Sequence, residues 1–157
     1  MLFYNNYNKS VHAIPLSCNY IQYYIQHILQ TPNHHQNYVL IVDDEEATRE
    51  ILQVILEMTG YQVFSAEDGE DALEKVANHL PDIILLDMMM PKMDGLTVCR
   101  YLRDQPQTAH LPIIILSGNS FDRVQRQSLA AGANCFLAKP IDPEDLLAHM
   151  EQLLLPY

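Results

Sequence analysis

Five polar residues stand at the ends of short apolar runs. Asp43 and Asp44 follow Tyr38–Val42, Asp87 follows Ile83–Leu86, Ser117 follows Pro112–Leu116, and Lys139 follows Cys135–Ala138. Three carboxylates brought together repel one another and raise each other's pKa. A divalent cation relieves that repulsion. Mg²⁺ prefers an octahedron of oxygen ligands, keeps several waters, and is held by one or two carboxylates plus phosphate oxygens. Asp43, Asp44 and Asp87 offer such a donor set. Lys139 adds a fixed positive charge and Ser117 a hydroxyl donor. These are the parts needed to move a phosphoryl group onto a carboxylate: a nucleophile, and cations where charge spreads over the transferred oxygens. In that chemistry Asp87 is the nucleophile, while Lys139 and Ser117 hold the remaining oxygens.

The elements that must position these groups alternate along the chain. Tyr38–Val42 is an apolar run. Residues 46–58 have helical periodicity, with Ile51, Val54, Ile55 and Met58 on one face, and Gly60 sits where a helix C-cap falls. Gln62–Ser65 is a weaker strand. Asp68–His79 is helical with Ala72, Leu73 and Val76 inward, and Pro81 stops it. Ile83–Leu86 is fully apolar. A loop with Pro91 and Gly95 leads into a helix over about 95–104. Pro112–Leu116 is the fourth apolar run, and Phe121–Ala131 a helix ending at Gly132. Cys135–Ala138 is the fifth strand, and Asp142 caps a last helix to about Leu154.

Continuous apolar strands mean that both sheet faces are covered. Alternating βα units give a parallel sheet with right-handed crossovers. The expected fold is α/β, a (βα)5 doubly wound sheet of order 2-1-3-4-5. Ligands of such sheets bind outside the carboxyl ends of the strands, at the switch point between strands one and three. The five polar groups therefore converge on one crevice. An aspartate at a helix start is also a good N-cap, a role open to Asp44 alongside cation binding.

Composition narrows the function classes. All 20 acidic residues lie from Asp43 onward, and only Lys9 among the nine basic residues precedes it. Residues 38–157 are thus strongly acidic, which argues against a nucleic-acid partner, whose recognition needs a basic footprint. Such a surface suits a basic partner or a cation. Cys18, Cys99 and Cys135 have no CxxC spacing and read as reduced thiols. No apolar run reaches the roughly 18 residues of a membrane span, and a basic start followed by an apolar stretch is missing. A cytoplasmic protein with no membrane partner is expected.

Residues 1–37 differ from the rest, being rich in Asn, Gln, Tyr and His without a single acidic residue. They read as an N-terminal extension: a tail, or a short amphipathic helix over about 17–30 carrying Ile21, Tyr24, Ile25, Ile28 and Leu29 at helical spacing. Pro32 ends that helix, and Thr31–Asn37 reads as a linker. His34-His35 lacks further metal partners. Met88, Met89, Met90 and Met93 read as loop packing, because thioethers suit soft ions rather than an oxygen site.

The segments V-D-D-E at 42–45, I-I-L-L-D-M-M-M-P-K-M-D-G at 83–95, I-I-L-S-G at 114–118 and F-L-A-K-P at 136–140 together resemble the receiver domain of two-component response regulators (CheY-like). Each segment alone is weak; all four, in order and at strand ends, are specific. The resemblance spans about residues 38–155 and leaves 1–37 outside. It implies that Asp87 is the phospho-acceptor and that Asp43 and Asp44 bind Mg²⁺, one directly and one largely through water. It implies a further ligand in the main-chain carbonyl of Met89. Ser117 takes the place of the family's Ser/Thr that follows the phosphate, Lys139 that of its lysine, and Phe136 that of its aromatic switch. Lys139-Pro140 matches a peptide bond that is usually cis.

The resemblance also implies partners. The donor is a histidine kinase or a histidine phosphotransfer protein, and the reader is a downstream effector protein. The family's output surface, here about 121–155, also makes homodimers. The chain ends three residues after Leu154, so the expectation is a stand-alone switch in phosphorelay signal transduction. It is not expected to turn over an external substrate; it catalyses only its own phosphorylation and dephosphorylation. Two other readings compete. A constitutive binding module that is never phosphorylated would be favoured by loss of any of Asp43, Asp44, Asp87 or Lys139. An aspartate-nucleophile phosphatase would carry D-x-D after the first strand.

Overall fold

The computed structural model describes residues 37–120 and 122–155. Five strands, β1 (Tyr38–Val42), β2 (Gln62–Ala66), β3 (Ile83–Asp87), β4 (Ile113–Ser117) and β5 (Cys135–Ala138), alternate with five helices. The helices are α1 (Glu46–Met58), α2 (Gly69–Asn78), α3 (Gly95–Asp104), α4 (Asp122–Ala130) and α5 (Pro143–Leu154). All strand pairs are parallel and the order is β2-β1-β3-β4-β5, as the sequence leads one to expect.

The continuous apolar strands divide their side chains between two cores, because successive residues of a strand point to opposite faces. Leu40, Val42, Ile84, Leu86, Ile113 and Ile115 pack with Ala72 and Val76 of α2 and with Val98, Cys99 and Leu102 of α3. Val39, Ile41, Ile83, Leu85, Ile114 and Leu116 pack with Leu52 and Leu56 of α1 and with Leu146, Leu147 and Met150 of α5. Each such Leu or Ile contributes on the order of 1.5–3 kcal/mol by leaving water. Both faces of the central strands are spent on packing, so polar function is left to their ends.

Helix starts are set by side-chain caps. Asp68 accepts the Asp71 N–H at 2.9 Å, Asp94 that of Thr97 at 2.7 Å, and Asp142 that of Glu144 at 2.8 Å. α1 differs from these three helices. Its N-cap is Glu45, which makes no side-chain cap, so Asp44 does not cap this helix. α1 ends through Thr59 and Gly60, and Gly60 has φ 94°, a conformation in which a Cβ would be strained.

Of the four residues that share one face of α1 in the sequence, Ile55 packs against the core and the other three do not face the sheet. Ile51, Val54 and Met58 are exposed, and Leu52 and Leu56 are the buried pair. α1 carries two apolar stripes, and periodicity cannot tell which of them meets the core. The amphipathic segment and linker read in residues 17–37 lie outside the described residues, apart from Asn37. No described helix is long and apolar enough to cross a membrane.

Candidate functional site

The C-terminal ends of β1, β3, β4 and β5 meet at one end of the sheet. Asp43 follows β1 directly, and its N–H donates to the carbonyl of Ala66 at the end of β2. Its Oδ1 accepts the Glu45 N–H at 2.9 Å. Asp87 is the last residue of β3, and its Oδ2 accepts the Met89 N–H at 3.1 Å. Both carboxylates are buried, whereas Asp44 is exposed at the rim. One carboxylate oxygen from each of Asp43, Asp44 and Asp87 lies within 4.8 Å of the others.

Lys139 closes the cluster from β5. Its Nζ lies 2.7 Å from Asp43 Oδ2 and 2.7 Å from Asp87 Oδ1. Its backbone N–H donates to the carbonyl of Ser117 at 2.7 Å, and the Lys139–Pro140 peptide bond is cis. Ser117 is fully buried at the end of β4, and its Oγ accepts the Asn119 N–H at 3.1 Å. Phe136 is partly buried against the core cluster that contains Ile115, its neighbour across β4. Met88 and Met93 pack against that cluster and Met90 belongs to it, as loop packing requires, but Met89 is 68% exposed.

Burial pushes the Asp87 carboxyl upward from its ordinary pKa. The hydrogen bond and charge of Lys139 oppose this, and the charges of Asp43 and Asp44 reinforce it. Burial works against the Lys139 ammonium, but its hydrogen bonds to Asp43 and Asp87 and their charges outweigh that and raise it. Lys139 is therefore a fixed cation between two carboxylates. The three carboxylates and one ammonium still leave two formal negative charges among these four side chains. The donor set is hard oxygen throughout, closely spaced and open at the Asp44 rim, which fits Mg²⁺ with part of its water shell retained. Asp43, Asp44 and Asp87 are the side chains placed to hold it.

Two positions escaped the sequence reading. The Arg49 Nη1 donates to the carbonyl of Asp43 at 2.7 Å, pinning the backbone that carries the first acidic residue. Arg49 lies six residues on, inside a helix, and nothing in its local pattern distinguishes it. Gly95 is the second. A Cβ there would press into the carbonyl oxygen of Asp87 and sit 3.0 Å from Met88 Cα. Gly95→Ala gains less than the roughly 1 kcal/mol of a helix interior, because Gly95 opens α3, and it forces the end of β3 to move. Since overpacking costs about 1–3 kcal/mol and here meets backbone, a net loss of stability is expected in urea titrations. An equal or raised midpoint would show that β3 yields freely.

A doubly wound parallel sheet with an acidic cluster, a partly buried lysine and a buried serine at its switch point defines a phospho-accepting switch of the CheY-like class. Residues 39–151 match the family model of the response regulator receiver domain, and the chain belongs to that family. It is 46% identical over 115 residues to the response regulator PleD of Caulobacter vibrioides, covering 73% of this chain and 25% of that protein. It is 45% identical over 116 residues to the response regulator MprA of a Mycobacterium species, covering 74% of this chain and 50% of that protein. Among solved structures, the Vibrio cholerae chemotaxis protein CheY4 superposes with a TM-score of 0.72 at 34% identity, covering 75% of this chain and 98% of that one. The chain thus spans a quarter to a half of the length of these curated relatives.

Proposed function

We propose that the protein accepts a phosphoryl group on Asp87 in a Mg²⁺-dependent reaction and signals through a changed protein-binding surface. The observation that carries this reading is the placement of Asp87. It ends a central strand, within one cluster with Asp43 and Asp44, and is held by Lys139 at 2.7 Å.

An Asp87 oxygen attacks phosphorus and forms the new O–P bond. The P–N bond of a phosphohistidine breaks, and the imidazole leaves with the electron pair. Lys139 and the Ser117 hydroxyl would take the transferred oxygens. Bound Mg²⁺ would supply the charge neutralisation that lets phosphate approach three carboxylates. The family supports a histidine kinase or histidine phosphotransfer protein as donor and an effector protein as reader. The segment 122–155 exposes Leu129 and Leu155 and is the surface we assign to the reader or to a homodimer. The acidity of residues 38–157 as a whole suits a basic protein surface over a nucleic acid. The curated relatives carry this unit in longer chains, and an attached output module fits the fold as well as a stand-alone switch does.

Incubation with acetyl phosphate, with and without Mg²⁺, tests the reading by intact mass. A gain of one phosphoryl group only with Mg²⁺ is expected; no gain under either condition would leave a constitutive binding module. Asp44→Ala should weaken Mg²⁺ binding by about 10- to 100-fold, the scale on which metal sites respond to a lost supporting group. Asp44 is exposed, so the melting temperature without Mg²⁺ should hold. An unchanged Mg²⁺ titration would count against the acidic pocket.

A further inference from the structure

The loop that follows Asp87 is held from outside the site. Lys92 reaches from it to the joint between β2 and α2, where its Nζ lies 2.9 Å from Asp68 Oδ2. The other Asp68 oxygen accepts the Asp71 N–H at 2.9 Å and starts α2. These two contacts, the Asp71 N–H foremost, hold the Asp68 carboxyl below its ordinary pKa and so keep it charged. Beside it, a Cβ at Gly69 would sit 2.9 Å from Met93 Cβ. Lys92 and Met93 thus dock on two adjacent residues, Asp68 and Gly69. The same joint also serves Asp43, whose N–H donates to the Ala66 carbonyl at 3.2 Å.

Lys92 holds an unfavourable backbone conformation to make this contact. Its φ is 67°, and among the described residues it is the only non-glycine with positive φ. The Met93 N–H donates across it to the Pro91 carbonyl at 2.8 Å, closing a three-residue turn of the rare γ form. Glycine takes such a conformation without a Cβ penalty. A lysine there points to a use for its side chain, and strain of this kind persists only where the surroundings hold it. The pair itself adds little to overall stability, because the Lys92 side chain is 65% exposed. What it can fix is the loop. At the base of that loop the Gly95 N–H donates to the Met88 carbonyl at 3.0 Å, and the Met89 N–H donates to Asp87 Oδ2 at 3.1 Å.

We propose that Lys92 is a positioning residue of the acidic site. Latched to Asp68, it holds residues 88–94 in the shape in which the Met89 backbone orients the Asp87 carboxylate for Mg²⁺. The proposal rests on Asp43, Asp44 and Asp87 binding that ion. Lys92 acts through the loop, with its ammonium held by Asp68.

Lys92→Gly, Asp68→Asn and the two together, each in the full chain, test it. Lys92→Gly removes the ammonium and the strain. Asp68→Asn removes the charge, while asparagine still caps α2. Each single variant should weaken Mg²⁺ binding about three- to tenfold, below the roughly 10- to 100-fold of a group bonded directly to a ligand. The double variant should bind no more weakly than the worse single one, because the effects of two partners in one contact do not add. In the metal-free protein the Met89 amide should exchange faster in all three, and the urea midpoint should hold, or rise in Lys92→Gly. A midpoint that falls in step with Mg²⁺ affinity would mark a purely structural pair and overturn the proposal. Losses that multiply in the double variant would overturn it too. Unchanged Mg²⁺ affinity in both single variants, with the unaltered chain binding Mg²⁺, would overturn it and leave the function of Asp87 standing. No Mg²⁺ binding by the unaltered chain would overturn the reading of the acidic site and this proposal with it.

Discussion

Replacing Asp87 with alanine is expected to reduce phosphoryl uptake from acetyl phosphate from one group per chain to none. Asp43 is tied at both oxygens, to the Glu45 N–H and to Lys139 Nζ, and Asp44 stands out at the rim. Asp87 is likewise held at both oxygens, by the Met89 N–H and Lys139 Nζ, but it alone of the three ends β3, the middle strand of the sheet. The loss should not come from unfolding. Asp87 is a buried carboxylate whose burial already opposes its charge, and the Asp43–Lys139 pair at 2.7 Å survives its removal. Asp87→Asn is the companion variant. Its side-chain oxygen can still accept the Met89 N–H, yet the amide is a poor nucleophile. Intact mass with Mg²⁺ present reads both variants. Stoichiometric labelling of either would move the acceptor to another residue.

Lys139→Met should have the second large effect, on stability as well as on chemistry. The substitution keeps the aliphatic stem and removes the charge. Asp43 and Asp87 are then left buried and facing each other without their shared cation. Breaking a buried pair from one side costs about 3–5 kcal/mol. Lys139 retains some solvent contact, its side chain being 23% exposed, and Asp87 can take up a proton, so about 2–3 kcal/mol is expected in urea titrations. Labelling should fall with it, because the transferred oxygens lose their fixed cation. Adding Asp87→Asn to Lys139→Met should restore part of the stability, since the two groups interact directly and their effects are not additive. A double variant as unstable as the sum of the two singles would show that Lys139 acts on the fold through something other than this pair.

Most of the fold was legible in the sequence because a parallel sheet covered on both faces writes itself as uninterrupted apolar runs. Ile83–Leu86 and Pro112–Leu116 leave little room for another reading, and their closing residues Asp87 and Ser117 turned out to be the last residues of β3 and β4. The grouping of polar residues was legible for the same reason: such buried strands keep polar side chains out, so these gather at the strand ends. α1 was harder. Its two apolar stripes have the same period, and only contact with the sheet separated Leu52 and Leu56 from Ile51, Val54 and Met58. Asp44 looked fit to cap α1, yet the helix starts at Glu45 without a side-chain cap. A cap depends on backbone angles at the turn, which residue type does not set.

By itself the sequence determined the five-unit α/β order and the residue types at the strand ends, since these follow from local hydrophobic pattern and from the chemistry of carboxylate, lysine and hydroxyl. Only the tertiary structure decided how those residues pair. The bond from Lys139 to Asp43 joins positions 96 residues apart. The hydrogen bond from Arg49 to the Asp43 carbonyl and the need for glycine at 95 beneath Asp87 appear only when separate elements are packed together. Such contacts are set by how helices and strands approach in space, at distances of a few ångströms that no periodicity along the chain encodes.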